Sequence, residues 1–384
     1  GSYQIEHTPQ FTNRINRVYD SNREMGTRWY QGGDKMLFGH GLPSLVSRES
    51  YFSAHPEWFC LINGQRNPYG VDWWQYCYSN QALATEIAGK VIQFFDRNPD
   101  YTQYTLAAND GWYEGWCECS ACAALGSRTD QILTFTNRVA AIVGEKYPDK
   151  KLTVLSYFAN FYAPTRNFTM EPNLEIQFTR ETNMYQPVSS GFNMGSSYYP
   201  ETGNTYTVTW KDNVANWQAR TGCENYGIWE WYCVAAAKPE WQYIPWVQGR
   251  VAIQNQQYWK SIGADYIYYD QGPLPGYYET QDDYDLRWPL WYVASKGMWD
   301  ASLTSEQILK DACRKLYGSA ADAMYGYYKC LEDISAECTA RSVVWYSAPA
   351  NQMYTSANIN RVNATVATVR QSLSGVTATQ RARI

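Results

Sequence analysis

The 384-residue chain is 45% hydrophobic and 18% charged, with a formal net charge of −5. That is enough apolar content for a large core, and the lack of a basic run argues against nucleic-acid binding. No stretch approaches the ~20 apolar residues of a membrane-spanning helix.

The aromatic content is the outlier, with 17 Trp and 34 Tyr. Both side chains carry a flat apolar face and a polar edge, which suits stacking on sugar rings and bonding to hydroxyls. The plain alternative is an aromatic-rich core and rim.

Ser2 to Thr8 alternates and is a candidate first strand. A turn-rich link with Gly26, Gly32 and Gly33 follows, then Lys35 to His40 reads as a short strand ending at His40. The apolar run Trp58 to Ile62 before Asn63-Gly64 predicts a hairpin or an ordered excursion. Ser79-Asn80 caps a helix whose apolar positions Ile87, Val91, Ile92 and Phe95 share a face, and Asn98-Pro99 ends it. Tyr104 to Ala108 is an apolar strand that stops at Asn109-Asp110-Gly111. Asp130 is placed to cap the next helix, which Pro148 ends. Strands are expected over Lys151–Phe158, Pro172–Arg180, Tyr226–Trp231 and Ala264–Asp270. Helices are expected over Trp210–Thr221 and Pro245–Ile262. From Leu286 onward the chain reads as helical.

Alternating strands and helices predict a parallel sheet covered by helices. The length and the polar residues at strand C-termini favour an α/β fold of the TIM-type (β/α)8-like barrel, irregular because only six or seven strands are countable. The barrel would span residues 1–285, with a helical region over 286–384 packed on it.

In such a barrel the strand ends share one mouth. His40, Asp110, Arg180-Glu181, Glu230 and Asp270 would then converge among Trp112, Trp116, Trp231 and neighbouring tyrosines. Two carboxylates in an aromatic cleft are what glycoside hydrolysis requires: one protonates the leaving oxygen, the other is nucleophile or base. Asp110, Glu230 and Asp270 are the catalytic candidates. His40, Asn109, Trp112, Trp116, Arg180, Glu181 and Trp231 are the candidates for binding substrate. Each has a plain alternative: Asp110 and Asp270 as turn residues, Glu181 as a partner of Arg180, His40 as a structural histidine. The competing function is a non-catalytic carbohydrate-binding protein. No P-loop, Rossmann glycine pattern, GxSxG or HExxH occurs, so no cofactor is expected.

Ten cysteines, few lysines and the sequons Asn167-Phe168-Thr169 and Asn363-Ala364-Thr365 suit a secreted protein. The opening Gly1-Ser2 lacks a Met, in keeping with a removed leader. Cys117, Cys119 and Cys122 would supply three zinc ligands if a fourth existed. No second paired Cys motif accompanies them, so disulfides within the loop are the favoured reading and no metal site is assigned.

Several of these segments have a family likeness. YFSAHPEWFCLINGQRN with Cys77-Tyr78-Ser79-Asn80, Asn109-Asp110-Gly111 before Cys-x-Cys-x-x-Cys, Arg180-Glu181, Trp229-Glu230-Trp231 and Asp270-Gln271-Gly272 together resemble a bacterial family of unknown function. That family is related to alpha-glucuronidase-like glycoside hydrolase barrels. The likeness spans about His40 to Leu331 and implies a TIM-like barrel acting on carbohydrate.

Overall fold

Short parallel strands separated by amphipathic helices make up most of the fold, seen in a computed structural model that describes residues 8–16, 32–67, 74–110, 115–180, 185–190, 208–231, 247–270, 281–338 and 350–384. The chain divides into two compact units. The first comprises Gly1–Gly33, Arg180–Trp210 and Trp229–Ile384, the second Asp34–Thr179 and Lys211–Ile228. The expected boundary at 285/286 falls inside a helix, Gln281–Trp299.

The second unit begins with β2 (Lys35–Met36), numbered after β1 (Asn13–Asn16) of the first. It continues through the hairpin β3 (Leu61–Ile62) and β4 (Gln65–Arg66), then β5 (Tyr101–Thr105), β6 (Lys151–Ser156) and β7 (Leu174–Arg180). Its hydrogen-bonded order is β2-β5-β6-β7-β8, where β8 is Tyr226–Trp231. The β2–β5, β5–β6 and β6–β7 pairs are parallel. Short helices α1 (Leu42–Leu45) and α2 (Arg48–Tyr51) precede the hairpin, and α3 (Gln81–Arg97) follows it.

The expected hairpin is present. Asn63 and Gly64 have φ of 49° and 77°, the left-handed pair that a two-residue turn needs to match strand twist. Helix α3 starts as expected, with Asn80 Oδ1 accepting from Leu83 N at 3.0 Å.

After α4 (Ser120–Ala123) comes α5 (Arg128–Lys146), which begins two residues before the expected Asp130. Ser127 is the cap. Its hydroxyl accepts from Asp130 N, and Asp130 Oδ2 accepts from Ser127 N at 2.8 Å, closing a capping box. Asp130 also takes Thr165 N at 3.2 Å, so it ties the following loop to the helix.

β7 is buried along its whole length yet alternates in chemistry. Ile176 and Phe178 face outward, Phe178 meeting Trp217 of α6 (Trp210–Thr221) and Tyr226 edge-on. Glu175, Gln177 and Thr179 share the other face. On β5, Gln103 donates to Thr153 Oγ1 of β6 at 2.8 Å. The strands therefore bury a polar face; the apolar-run reading starts β5 three residues late, while β6 and β7 fall within the expected spans.

In the first unit the order is β8-β9-β1, with β9 spanning Ala264–Asp270. Strand β1 pairs parallel with β9 in register Asn13↔Tyr266 to Asn16↔Tyr269. The expected strand Ser2–Thr8 lies outside the described residues apart from Thr8. Helices α7 (Gly249–Ser261), α8 (Gln281–Trp299), α9 (Ser305–Tyr317), α10 (Ala321–Glu337), α11 (Ala350–Met353), α12 (Ser356–Gln371) and α13 (Ala378–Arg383) complete it. A core of Ile253, Val293, Leu309, Tyr317, Met324 and Tyr328 joins α7, α8, α9 and α10. The expected helical C-terminal region is thus present.

Together the strands number seven in the order β1-β9-β8-β7-β6-β5-β2, and an eighth is not found among the described residues. No described helix is long and apolar enough to cross a membrane.

Candidate functional site

Four sequence candidates meet in the second unit. His40, Asn109, Asp110 and Trp116 line one recess with Gln75, Tyr157 and Asn160. The recess is small: the space that a water-sized sphere can occupy is about 20 Å³, enough for one water.

Two glycines position His40. A Cβ on Gly41 would sit 2.0 Å from the Thr105 carbonyl oxygen, so only glycine lets the loop lie against the end of β5. Gly39 has φ of 97°, and its carbonyl accepts from Thr105 Oγ1 at 2.9 Å. Between them His40 Nδ1 lies 2.6 Å from the Ala108 carbonyl oxygen. A carbonyl only accepts, so Nδ1 carries the hydrogen and Nε2 is left toward Asp110. Nε2 and Asp110 Oδ1 are 3.6 Å apart, too long for a direct hydrogen bond.

Asp110 has 67% of its side chain exposed and is available to a ligand. Asn109 is held by its own bonds: Nδ2 donates to the Trp74 carbonyl at 2.9 Å, and its carbonyl accepts from Gln75 Nε2 at 2.7 Å. Trp116 is buried against Tyr78, ring centroids 5.0 Å apart. Its Nε1 is buried with no acceptor among the described residues. An unmet buried donor costs about 1–3 kcal/mol.

The first unit holds a different arrangement. Glu230 of β8 is fully buried and Arg180 nearly so, with Arg180 Nη1 3.3 Å from Glu230 Oε2. Asn255 Nδ2 donates to the same oxygen at 3.2 Å, and Trp259 Nε1 donates to Oε1. Both carboxylate oxygens thus accept hydrogen bonds, which is how a buried charge is tolerated. Arg180 Nη2 donates to the Gln186 carbonyl, and Asn255 Oδ1 accepts from Val188 N at 2.9 Å.

Trp231 stacks on Trp229 with centroids 6.3 Å apart, and Trp229 meets Tyr268 edge-on at 4.9 Å. Asp270 is the last residue of β9 and is buried. Trp112 and Glu181 lie outside the described residues.

The cysteines depart from expectation. The nine described cysteines are all free thiols, so the disulfides expected in the Cys117–Cys122 loop are not there. Instead Cys77 joins Cys117, Cys119 and Cys122, and the four Sγ atoms lie within 4.8 Å of one another. Hydrogen bonds from Cys117 and Cys122 hold Cys77 well below the usual thiol range against the effect of burial. In the same exchange Cys117 is pushed far up by Cys122, Cys77 and burial. The missing fourth member sits 40 residues before Cys117 in the chain, beyond the reach of local spacing.

Gln75, Tyr157 and Asn160 of the recess, and Asn255 and Trp259 around Glu230, were not among the candidates. For Asn255 a signal existed. It and Gln256 are amides buried on the same helix as Val251, Ala252 and Ile253.

The chain matches, over residues 2–329, the family described as a domain of unknown function (DUF4838), and belongs to it. No curated protein matches it.

Proposed function

We propose that this protein is a glycoside hydrolase on a TIM-type barrel, with a sugar docking over the His40–Asp110–Trp116 recess. The observation that carries this reading is an exposed carboxylate beside an imidazole in a recess lined by Trp116 and Tyr157. Aromatic faces take the apolar side of a sugar. Asp110 donates the proton to the leaving oxygen, with His40 Nε2 3.6 Å from its carboxyl.

Glycoside hydrolysis also needs a second carboxylate as nucleophile or base. Asp270 and Glu230 are the candidates. Three donors engage Glu230, which we read as the counter-ion of Arg180, and Asp270 is kept as the sequence candidate for the second role. Trp112, Glu181 and Trp231 stay in the proposal as contacts to further sugar units. So does an extracellular location, with which the exposed Asn167 sequon is compatible.

A non-catalytic carbohydrate-binding role is the second reading. It is favoured by the recess itself, where Asp110 is the one carboxylate among the described lining residues.

Turnover on a panel of oligosaccharides separates the two. The wild type should release products, and Asp110→Asn and Asp270→Asn should each lose at least about a hundredfold while remaining folded. Binding without products from any glycan would replace the first reading by the second. Full turnover in Asp110→Asn would remove the acid assignment.

A further inference from the structure

We propose that Cys77, Cys117, Cys119 and Cys122 form a structural zinc site that fixes the loop carrying Trp116. Cys77 Sγ lies 3.7 Å from Cys119 Sγ and 3.8 Å from Cys122 Sγ. A tetrahedral zinc with Zn–S bonds of about 2.3 Å sets its sulfurs about 3.8 Å apart, so these distances are edges of that tetrahedron. Four sulfur ligands with no open position are the donor set of a structural site, and tetrahedral S4 selects zinc or iron over harder ions.

The surroundings are built for thiolates. Leu61 N donates to Cys117 Sγ at 3.3 Å, Ser79 N to Cys122 Sγ at 3.4 Å, and Cys122 N to Cys119 Sγ at 3.4 Å. The last bond caps α4, so the Cys119-x-x-Cys122 turn presents both sulfurs to one point. Two N–H donors come from segments outside the cysteine loop, the β3 hairpin and the step after Cys77. Arg66, on β4, donates to the Phe59 carbonyl at 2.7 Å and lies close enough to feel the charge of Cys77, Cys117 and Cys119. Zn²⁺ with four thiolates carries two net negative charges, and this guanidinium offsets one of them.

The site would do what a core does elsewhere. Three segments converge there: the hairpin β3–β4, the chain at Cys77, and the loop Trp116–Cys122. Glu118 adds to the same joint, its N–H donating to the Leu61 carbonyl at 2.8 Å and its carboxylate accepting from Asn63 N at 2.9 Å. Cys117 directly follows Trp116, so a metal bond there holds the indole in the recess. Cys60 packs against the same cluster but lies outside the four-sulfur group, which makes it the internal control.

The test is metal analysis of the full-length protein purified under reducing conditions without added chelator, with X-ray absorption at the zinc edge. One zinc per chain with four sulfur neighbours is expected. Cys60→Ser should keep it, and Cys122→Ser should lose it or bind it at least tenfold more weakly. Titration of the wild type with a mercurial should release the zinc and change Trp fluorescence. Three results would overturn the assignment: no zinc after reconstitution with zinc chloride, iron in its place, or zinc with nitrogen or oxygen neighbours. The wild-type measurements decide the matter even if Cys122→Ser fails to fold.

Discussion

Replacing Arg180 by Met tests whether the Arg180–Glu230 pair is framework. Both side chains are buried, so the variant strands a carboxylate away from water. Removing one partner of a buried pair costs about 3–5 kcal/mol. Glu230 keeps Asn255 at 3.2 Å and the Trp259 indole, and Gln186 loses one donor to its carbonyl. The surviving donors place the loss near the low end, about 3 kcal/mol. In Arg180→Met/Glu230→Gln no buried charge remains, so the double variant should be more stable than Arg180→Met by about 1–2 kcal/mol. Urea denaturation followed by Trp fluorescence and far-ultraviolet circular dichroism measures both. An Arg180→Met loss under about 0.5 kcal/mol, or a double variant less stable than the single, would refute the reasoning.

Gly41→Ala drives a Cβ to 2.0 Å from the Thr105 carbonyl. The loop must shift, with a stability loss of about 1–3 kcal/mol and a displaced His40, read by thermal melts and by loss of activity. Asp130→Asn weakens the capping box and should cost about 1–2 kcal/mol at neutral pH. Burial alone would raise the Asp130 carboxyl, but hydrogen bonds from Thr165 and Ser127 outweigh it and hold the group below its ordinary value. A depressed carboxyl contributes stability above its unfolded pKa and loses it as pH falls through the folded one. The gap between wild type and Asp130→Asn should therefore narrow below about pH 4; a gap that widens there would contradict it.

Where hydrophobic period and turn chemistry agree, the chain is readable. Strands β8 and β9 and helix α6 lie where the apolar runs and breakers put them. Asn63-Gly64 makes the expected turn because few other residue pairs tolerate two left-handed φ values. Strand β1 escaped because NRIN offers one apolar residue and pairs through its backbone against β9. Strand β5 lies three residues earlier than its apolar run because Thr102, Gln103 and Thr105 belong to the sheet. The expected strand at Lys35–His40 shrinks to Lys35–Met36, since Gly39 and Gly41 bend the chain to aim His40. The cap falls on Ser127 rather than the expected Asp130, and the two are joined by a reciprocal bond that local sequence does not show.

The site was readable in part for a related reason. His40, Asn109, Asp110 and Trp116 converge because strand ends in one parallel sheet share an edge. The three donors to Glu230 come from residues distant in sequence, which no local pattern marks. Cys77 shows the same limit, since a hairpin and a helix cap bring it to the other three sulfurs.

The most direct test of the carbohydrate reading is a crystal structure of Asp110→Asn with an oligosaccharide taken from the turnover panel. The account predicts a sugar over the recess with the glycosidic oxygen beside residue 110. An oligosaccharide bound elsewhere, with only solvent over the recess, would contradict it.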